Sequence, residues 1–198
     1  LCGLIALSDT LRAEASEAVS RLRKNGLRVV MLTGDNRQTA EAVSGQIHID
    51  TFVAGVPPEK KASAIAGFQK EGYKTAMVGD GINDAPALAR ADLGIAIGTG
   101  TDVAIETGDV ILSSGNLLGI VRAISLSRST MRTVRQNLFW ALFYNTILIP
   151  VAAGILNPFD SLPHFLRQLH PILAAGAMAL SSISVVANSL RLSRIRLD

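Results

Sequence analysis

Residues 137–157 carry no charged side chain, and neither do residues 171–190. As helices rising about 1.5 Å per residue, each stretch is roughly 30 Å long, which matches the hydrocarbon thickness of a bilayer. A soluble core that buried two such helices would need far more protein than 198 residues provide. The mean hydropathy of +0.35 is high for a soluble domain, and the excess is concentrated after residue 137. The spacing therefore predicts a transmembrane hairpin with spans at about 137–157 and 171–190.

Charge orients the hairpin. Arg122, Arg128, Arg132 and Arg135 precede the first span, Arg191, Arg194 and Arg196 follow the second, and the intervening loop holds only Arg167. The positive-inside rule then puts both ends in the cytoplasm and the loop outside. An integral membrane protein of the plasma (inner) membrane is expected, with the lipid bilayer as a partner. The formal charge of +3 and a pI near 9.4 do not indicate nucleic acid, because the basic residues form no single patch with interleaved aromatics. The single Cys2 cannot form an internal disulfide. Leu1 opens inside an apolar run with no basic flank, so no signal peptide is visible and the chain reads as cut at an internal position.

Before residue 115 the pattern changes to alternating short apolar runs and helical periodicities, as in a parallel α/β sheet. Strands are predicted at 3–7, 27–32, 51–54, 75–78, 93–97 and 109–112, with helices at 11–25, 37–46, 58–71 and 85–90. Asn25-Gly26 is a helix stop, and Pro57-Pro58-Glu59 is a helix start with Pro and acid in the first turn. Residues 116–136 form an amphipathic connecting helix between the α/β part (1–115) and the hairpin (137–198).

Three clusters of chemistry-bearing residues sit at predicted strand or helix ends. The run Gly79-Asp80-Gly81-Ile82-Asn83-Asp84-Ala85-Pro86 places two carboxylates and an Asn in a compact turn after the apolar Thr75-Ala76-Met77-Val78. Mg²⁺ demands hard oxygen ligands and is commonly held by one or two carboxylates plus phosphate oxygens. Leu32-Thr33-Gly34-Asp35-Asn36 ends a second strand with a hydroxyl, a free backbone turn and a carboxylate, where N–H groups can hold phosphate oxygens. Taken alone, Thr-Gly-Asp is a weak signal and serves more often for helix entry. Lys60, at a helix start, can reach a phosphate as a point charge, although a surface lysine there is commonplace.

In the order Thr33, Lys60, Asp80 these clusters resemble the later motifs of haloacid-dehalogenase-like phosphotransferases. Met31-Leu32-Thr33-Gly34-Asp35-Asn36 and the stretch Val78 through Ala89 are more specifically similar to the phosphorylation domain of heavy-metal P-type ATPases. The similarity continues through Ile97-Gly98-Thr99-Gly100-Thr101-Asp102 and both spans. It implies an incomplete Rossmann-like, haloacid-dehalogenase-type parallel sheet followed by the membrane hairpin. Thr33, Gly34, Asp35, Lys60, Asp80, Asn83 and Asp84 become the candidate catalytic residues. Asp80 would ligate Mg²⁺, Thr33 and Gly34 would hold the transferred phosphoryl group, and Lys60 would neutralise its charge. Asn83 and Asp84 would order the hinge and the phosphate pocket. The family's Asp-Lys-Thr-Gly-Thr phosphorylation motif has no counterpart in these residues, and ATP would be bound mainly by a domain outside them. The chain is thus expected to be inactive alone and to work with the remaining domains of the same pump. A copper chaperone is an expected partner of the intact protein.

For the cargo, Tyr144-Asn145 falls mid-way in the first span, and Met178, Ser181 and Ser182 share a helix face in the second. A thioether suits monovalent copper, whereas zinc-like ions favour imidazole or carboxylate. Apolar packing and small-residue helix contact explain each of these residues singly. As a set they resemble the metal-site residues of copper and silver exporters, so Cu⁺ or Ag⁺ is the expected cargo. A zinc or cadmium exporter would be expected to place a charge in the spans. Two readings from other classes are a truncated, non-catalytic membrane-anchored module that associates with a full pump, and a soluble phosphatase, which the two spans oppose. His164 and His170 lie in the external loop, and His48 is read as a surface residue.

Overall fold

The computed structural model describes residues 11–80, 82–98, 106–158, 163 and 171–194. The predicted strand at 3–7, Cys2, Gly81, residues 99–102, His164, Arg167, His170 and Arg196 lie outside them. The chain divides into two compact units, Leu1–Arg122 and Ala123–Asp198.

In the first unit, helices and short parallel strands alternate: α1 (Ala15–Lys24), β1 (Val30–Leu32), α2 (Arg37–Ile47), β2 (Thr51–Val53), α3 (Pro58–Lys70), β3 (Ala76–Gly79), α4 (Ala85–Arg90), β4 (Leu93–Ile97) and β5 (Val110–Leu112). Strand β1 pairs in parallel with β2, and β3, β4 and β5 form a second parallel sheet in that order. A parallel connection requires a crossover, which α2 supplies between β1 and β2 and α4 between β3 and β4. The buried β4 run Ile95, Ala96 and Ile97 is apolar throughout, as a strand covered on both faces must be. Leu88, 1% exposed, packs with Ile65 and Met77 beneath α3 and α4. β1 and β2 are only half-buried along their length.

Helix ends follow local chemistry. Asn36 caps α2 through its side chain, which accepts from the Thr39 N–H at 2.9 Å. At the other end of α1, the Leu27 N–H reaches Leu22 O and the Gly26 N–H reaches Arg23 O, with Gly26 at φ +80°. That is a Schellman closure at the expected Asn25-Gly26 stop. The predicted helix at 11–25 starts later, at Ala15, because no side chain caps its N-terminus and Leu11 stays 38% exposed. β1 is shorter than the predicted 27–32, since Leu27 is consumed by that closure and is 39% exposed.

The second unit is built on α5 (Leu118–Ala152) and α6 (Pro171–Leu192). Helix α5 begins within the first unit, where Ile120 and Val121 are buried, and runs without a break through the predicted connecting helix into the first predicted span. It does not reach residue 157. The Ile155 N–H bonds Pro150 O and the Gly154 N–H bonds Val151 O, with Gly154 at φ +85°, so the same closure stops the helix at Ala152. The helical part from Asn137 to Ala152 is about 24 Å long, a turn shorter than expected. Among the described residues, one helix is long and apolar enough to cross a membrane by length and composition: α6, over Ala175–Leu192.

Where α5 and α6 meet, the contact is polar. The Asn188 amide donates to Asn137 Oδ1 at 2.8 Å and to Gln136 Oε1 at 3.3 Å, and the Asn137 amide donates to Ser189 Oγ at 3.0 Å.

Candidate functional site

Thr33, Gly34 and Asp35 follow β1 directly, and their loop closes on itself. The Thr33 hydroxyl donates to Asp35 Oδ2 at 2.8 Å while accepting from the Asp35 N–H at 3.1 Å. Its backbone is tied to the neighbouring strand's exit: Thr33 N–H to Val53 O, Val56 N–H to Thr33 O, and Gly55 N–H to Asp35 O at 2.7 Å. The hydroxyl and carboxylate of this loop are thus fixed at the carboxyl end of a parallel strand, where open α/β sheets bind ligands. A Cβ on Gly34 would meet only Val56 O, at an ordinary 3.6 Å, and Gly34 is exposed, so its backbone is open to an incoming group.

The second loop follows β3. Gly79 is buried, Asp80 and Asn83 are exposed, and Asp84 closes a short 3₁₀ turn, Ile82–Asp84, before α4. Gly79 is required on spatial grounds: a Cβ there would lie 2.6 Å from Asp84 Cβ and 2.8 Å from Asp84 Oδ2. Asp84 is therefore packed across the end of β3. Its Oδ1 accepts from Lys61 Nζ at 2.7 Å, with the two side chains 13% and 16% exposed. Asp80, by contrast, makes no hydrogen bond or ion pair among the described residues and projects a free carboxylate from the strand end.

The lysine brought to this loop is Lys61, not the Lys60 expected from the sequence. Both lie in the first turn of α3, one residue and about 100° apart on the helix. Lys60 is exposed, and its ammonium has no partner among the described residues, whereas Lys61 lies on the face turned to the 3₁₀ turn. The signal that separates them is helical phase: Lys61 is four residues before the buried Ile65 and so shares its inward face.

At the opposite, amino-terminal end of the second sheet, sequence reasoning missed Asp92. Its carboxylate accepts from Lys74 Nζ, from both the N–H and hydroxyl of Thr75, and from the Gln69 amide. The Lys74 bond foremost, then the Thr75 N–H and the Gln69 amide, hold this carboxyl far below the usual carboxylate range. The Lys74 ammonium is raised in return, by the same hydrogen bond and charge. This cluster staples the starts of β3 and β4 and stands away from the loops that carry the candidate chemistry.

In the second unit, Tyr144 is half-buried in an aromatic ladder, its ring 6.1 Å from Trp140 and 6.2 Å from Phe143. The Asn145 amide donates to Ala141 O at 3.0 Å, which leaves its Oδ1 outward as an acceptor. Met178 is 70% exposed, Ser181 half-buried and Ser182 exposed. Measured from the polar contact of α5 with α6, Asn145 lies eight residues beyond Asn137 and Ser181 eight residues before Ser189, about 12 Å along each helix. Among the described residues no cluster of three or more His, Cys, Asp or Glu side chains could hold a metal.

Haloacid dehalogenase-like hydrolase family patterns match residues 1–92 and 62–124. The chain is 51% identical over 195 residues to "Copper-transporting ATPase 1" of Rhizobium meliloti (strain 1021) and 53% identical over 194 residues to "Copper-exporting P-type ATPase" of Bacillus subtilis (strain 168). In both comparisons the match covers 98% of this chain and 23% of the relative. Along nearly its whole length the chain is similar to one part of these P-type ATPases. A solved zinc-transporting PIB-type ATPase superposes at a TM-score of 0.79 and 41% identity, over 94% of this chain and 28% of that one. The catalytic domain of a CPx-ATPase superposes over 58% of this chain and 46% of that one, at a TM-score of 0.52 and 35% identity. The chain thus spans about a quarter of the length of its P-type ATPase relatives, and its parallel sheets with helices are of haloacid-dehalogenase-like type.

Proposed function

We propose that this chain is the carboxy-terminal part of a copper-exporting P-type ATPase: the second half of the phosphorylation domain (1–115), a connecting helix (116–136) and a membrane hairpin (137–198). The observation that carries the cargo is the chemistry of the helices. α5 beyond Arg135 and α6 before Arg191 present Met178, Ser181, Ser182, Tyr144 and Asn145 with no charged group among them, a donor set that suits Cu⁺ or Ag⁺ better than Zn²⁺. The copper assignments of its relatives point the same way, while the zinc-transporting structural neighbour shares the fold and keeps the rival alive.

In the intact pump the acceptor aspartate and the nucleotide-binding domain come from outside these residues. The exposed, unpaired Asp80 fits the usual protein share of a Mg²⁺ site, one carboxylate completed by phosphate oxygens. Bound there, the ion would offset the charge of the transferring phosphoryl group. Thr33 and Gly34 offer a hydroxyl and open backbone to that group, with Asp35 holding the Thr33 hydroxyl in place. Lys61 takes the charge-neutralising role that the sequence suggested for Lys60. Asn83 and Asp84 shape the turn, Asp84 by retaining Lys61. Phosphoryl transfer asks for this kind of help, since it depends on positioning and charge stabilisation.

ATPase activity of the complete gene product, assayed with Cu⁺, Ag⁺ and Zn²⁺, tests the reading. Stimulation by Cu⁺ or Ag⁺ that falls sharply in Met178→Leu is expected. Stimulation by Zn²⁺ alone overturns the cargo. A break in α5, made by inserting a Gly-Pro pair after Ser127, is expected to leave ATP hydrolysis running while metal transport stops; an unchanged ratio of the two refutes α5 as the coupling element.

A further inference from the structure

We propose that the arginine face of α5 binds the phosphate headgroup of an anionic phospholipid in the cytoplasmic leaflet, an inference that rests on the membrane reading of α5 and α6. Arg128, Arg132 and Arg135 stand at i, i+4 and i+7, and Phe139 follows at i+11, so all four fall on one stripe of the helix. All are exposed, and with Met131 and Trp140 they enclose a shallow groove of about 580 Å³. The groove is graded along the helix: guanidinium groups at its amino-terminal end, aromatic rings at the end that leads into the uncharged segment. That order matches a phospholipid, whose charged phosphate stands above its acyl chains, and Trp is favoured at headgroup depth.

Charge makes the case for an anion. α5 and α6 contain no Asp or Glu anywhere along their lengths. Arg132 and Arg135 stand three residues apart on this face, where like charges repel. The bonds from Asn188 to Asn137 and from Asn137 to Ser189 add to this, because Arg191, two residues past Ser189, is held at the same end of the helix pair. Guanidinium forks match phosphate oxygens bidentately, which makes arginine better suited to this ligand than a diffuse positive surface. A free phosphate would use the arginines and leave the aromatic end of the groove unoccupied.

Trp140, the one tryptophan, lines the groove and reports on it directly. The intact 198-residue chain is reconstituted into mixed vesicles of phosphatidylcholine and phosphatidylglycerol, with one lipid or the other brominated to quench tryptophan. Brominated phosphatidylglycerol is expected to quench Trp140 more strongly than its share of the lipid. Each Arg→Gln change at 128, 132 or 135 is expected to weaken that preference about fivefold, and Arg→Lys to weaken it less. Excess inorganic phosphate should leave it intact. Equal quenching by the two lipids overturns the site, and loss of the preference to inorganic phosphate overturns the lipid as its occupant. Quenching by neither lipid overturns the membrane reading as well, a result distinct from equal quenching by both. Should one of the Arg→Gln variants fail to insert, its loss of quenching by phosphatidylcholine shows this and the Arg→Lys variant at the same position carries the test. In the full-length pump, absence of the preference seen in the chain would mean that an acidic segment of another domain covers the arginines, and would overturn the proposal.

Discussion

The ammonium of Lys61 lies 2.7 Å from Asp84 Oδ1, and the two side chains are only 16% and 13% exposed. Removing one member leaves a charge largely withdrawn from water. Asp84→Leu or Lys61→Met is therefore expected to destabilise the first unit by about 3 kcal/mol, the double change by clearly less. Lys60→Met should cost under about 0.5 kcal/mol. Hydrogen exchange across α3 and α4 in the whole chain measures the difference. Equal effects of Lys60→Met and Lys61→Met would refute the assignment of Lys61 to the loop.

Gly79 and Gly34 make a paired steric prediction. Gly79→Ala drives a methyl group to within 2.6 Å of Asp84 Cβ, so the Asp84 turn must shift, at about 1–3 kcal/mol. Gly34→Ala meets only an ordinary contact at 3.6 Å and should fold as the parent does. Thermal unfolding of the two variants side by side checks this, and in the complete pump Gly79→Ala should also depress phosphorylation.

Asp92 sets an acid limit. Its folded pKa lies below the unfolded carboxylate value near 4, through Lys74, Thr75 and Gln69, so its ionised form stabilises the fold. That contribution is complete above about pH 5 and is lost as the pH falls through the unfolded value toward the depressed folded one. Asp92→Asn should lower stability at pH 7 and flatten its acid dependence. Unfolding followed at pH 7 and again near pH 3 should show the parent and variant converging; a constant gap between them refutes the role.

The contact of α5 with α6 predicts coupling between Asn137 and Asn188. In a double-mutant cycle with Asn137→Ala and Asn188→Ala, measured by reversible unfolding in mixed micelles, about 0.6 kcal/mol of interaction is expected. Additive effects would show that the two amides act independently.

The sequence made the order of elements readable because each strand exit carries distinctive chemistry and each helix a clear period. β4 spans the predicted 93–97 because its apolar run is bounded by Asp92 and Gly98. Three features were not readable. Helix α5 ends at Ala152 because Gly154 adopts a left-handed conformation, and hydropathy, which runs on to residue 157, carries no trace of backbone handedness. Lys60 and Lys61 are chemically identical neighbours, separated only by the direction each faces once α3 is docked on α4. Asp92 resembles any surface acid until β3 and β4 are aligned, when Thr75 and Lys74 converge on it from another part of the chain. The candidate site was legible to the extent that it lies in contiguous loops, and illegible where it depends on one loop meeting another element.

The lack of acids on α5 and α6 extends to histidine, lysine and cysteine, so apart from Tyr144 every ionisable side chain on the two helices is an arginine. Arginine has five N–H donors and no acceptor. The charged side chains of the two helices therefore offer donors to anions and no oxygen or imidazole to cations. A carboxylate or imidazole that met these two helices would have to be carried by another segment.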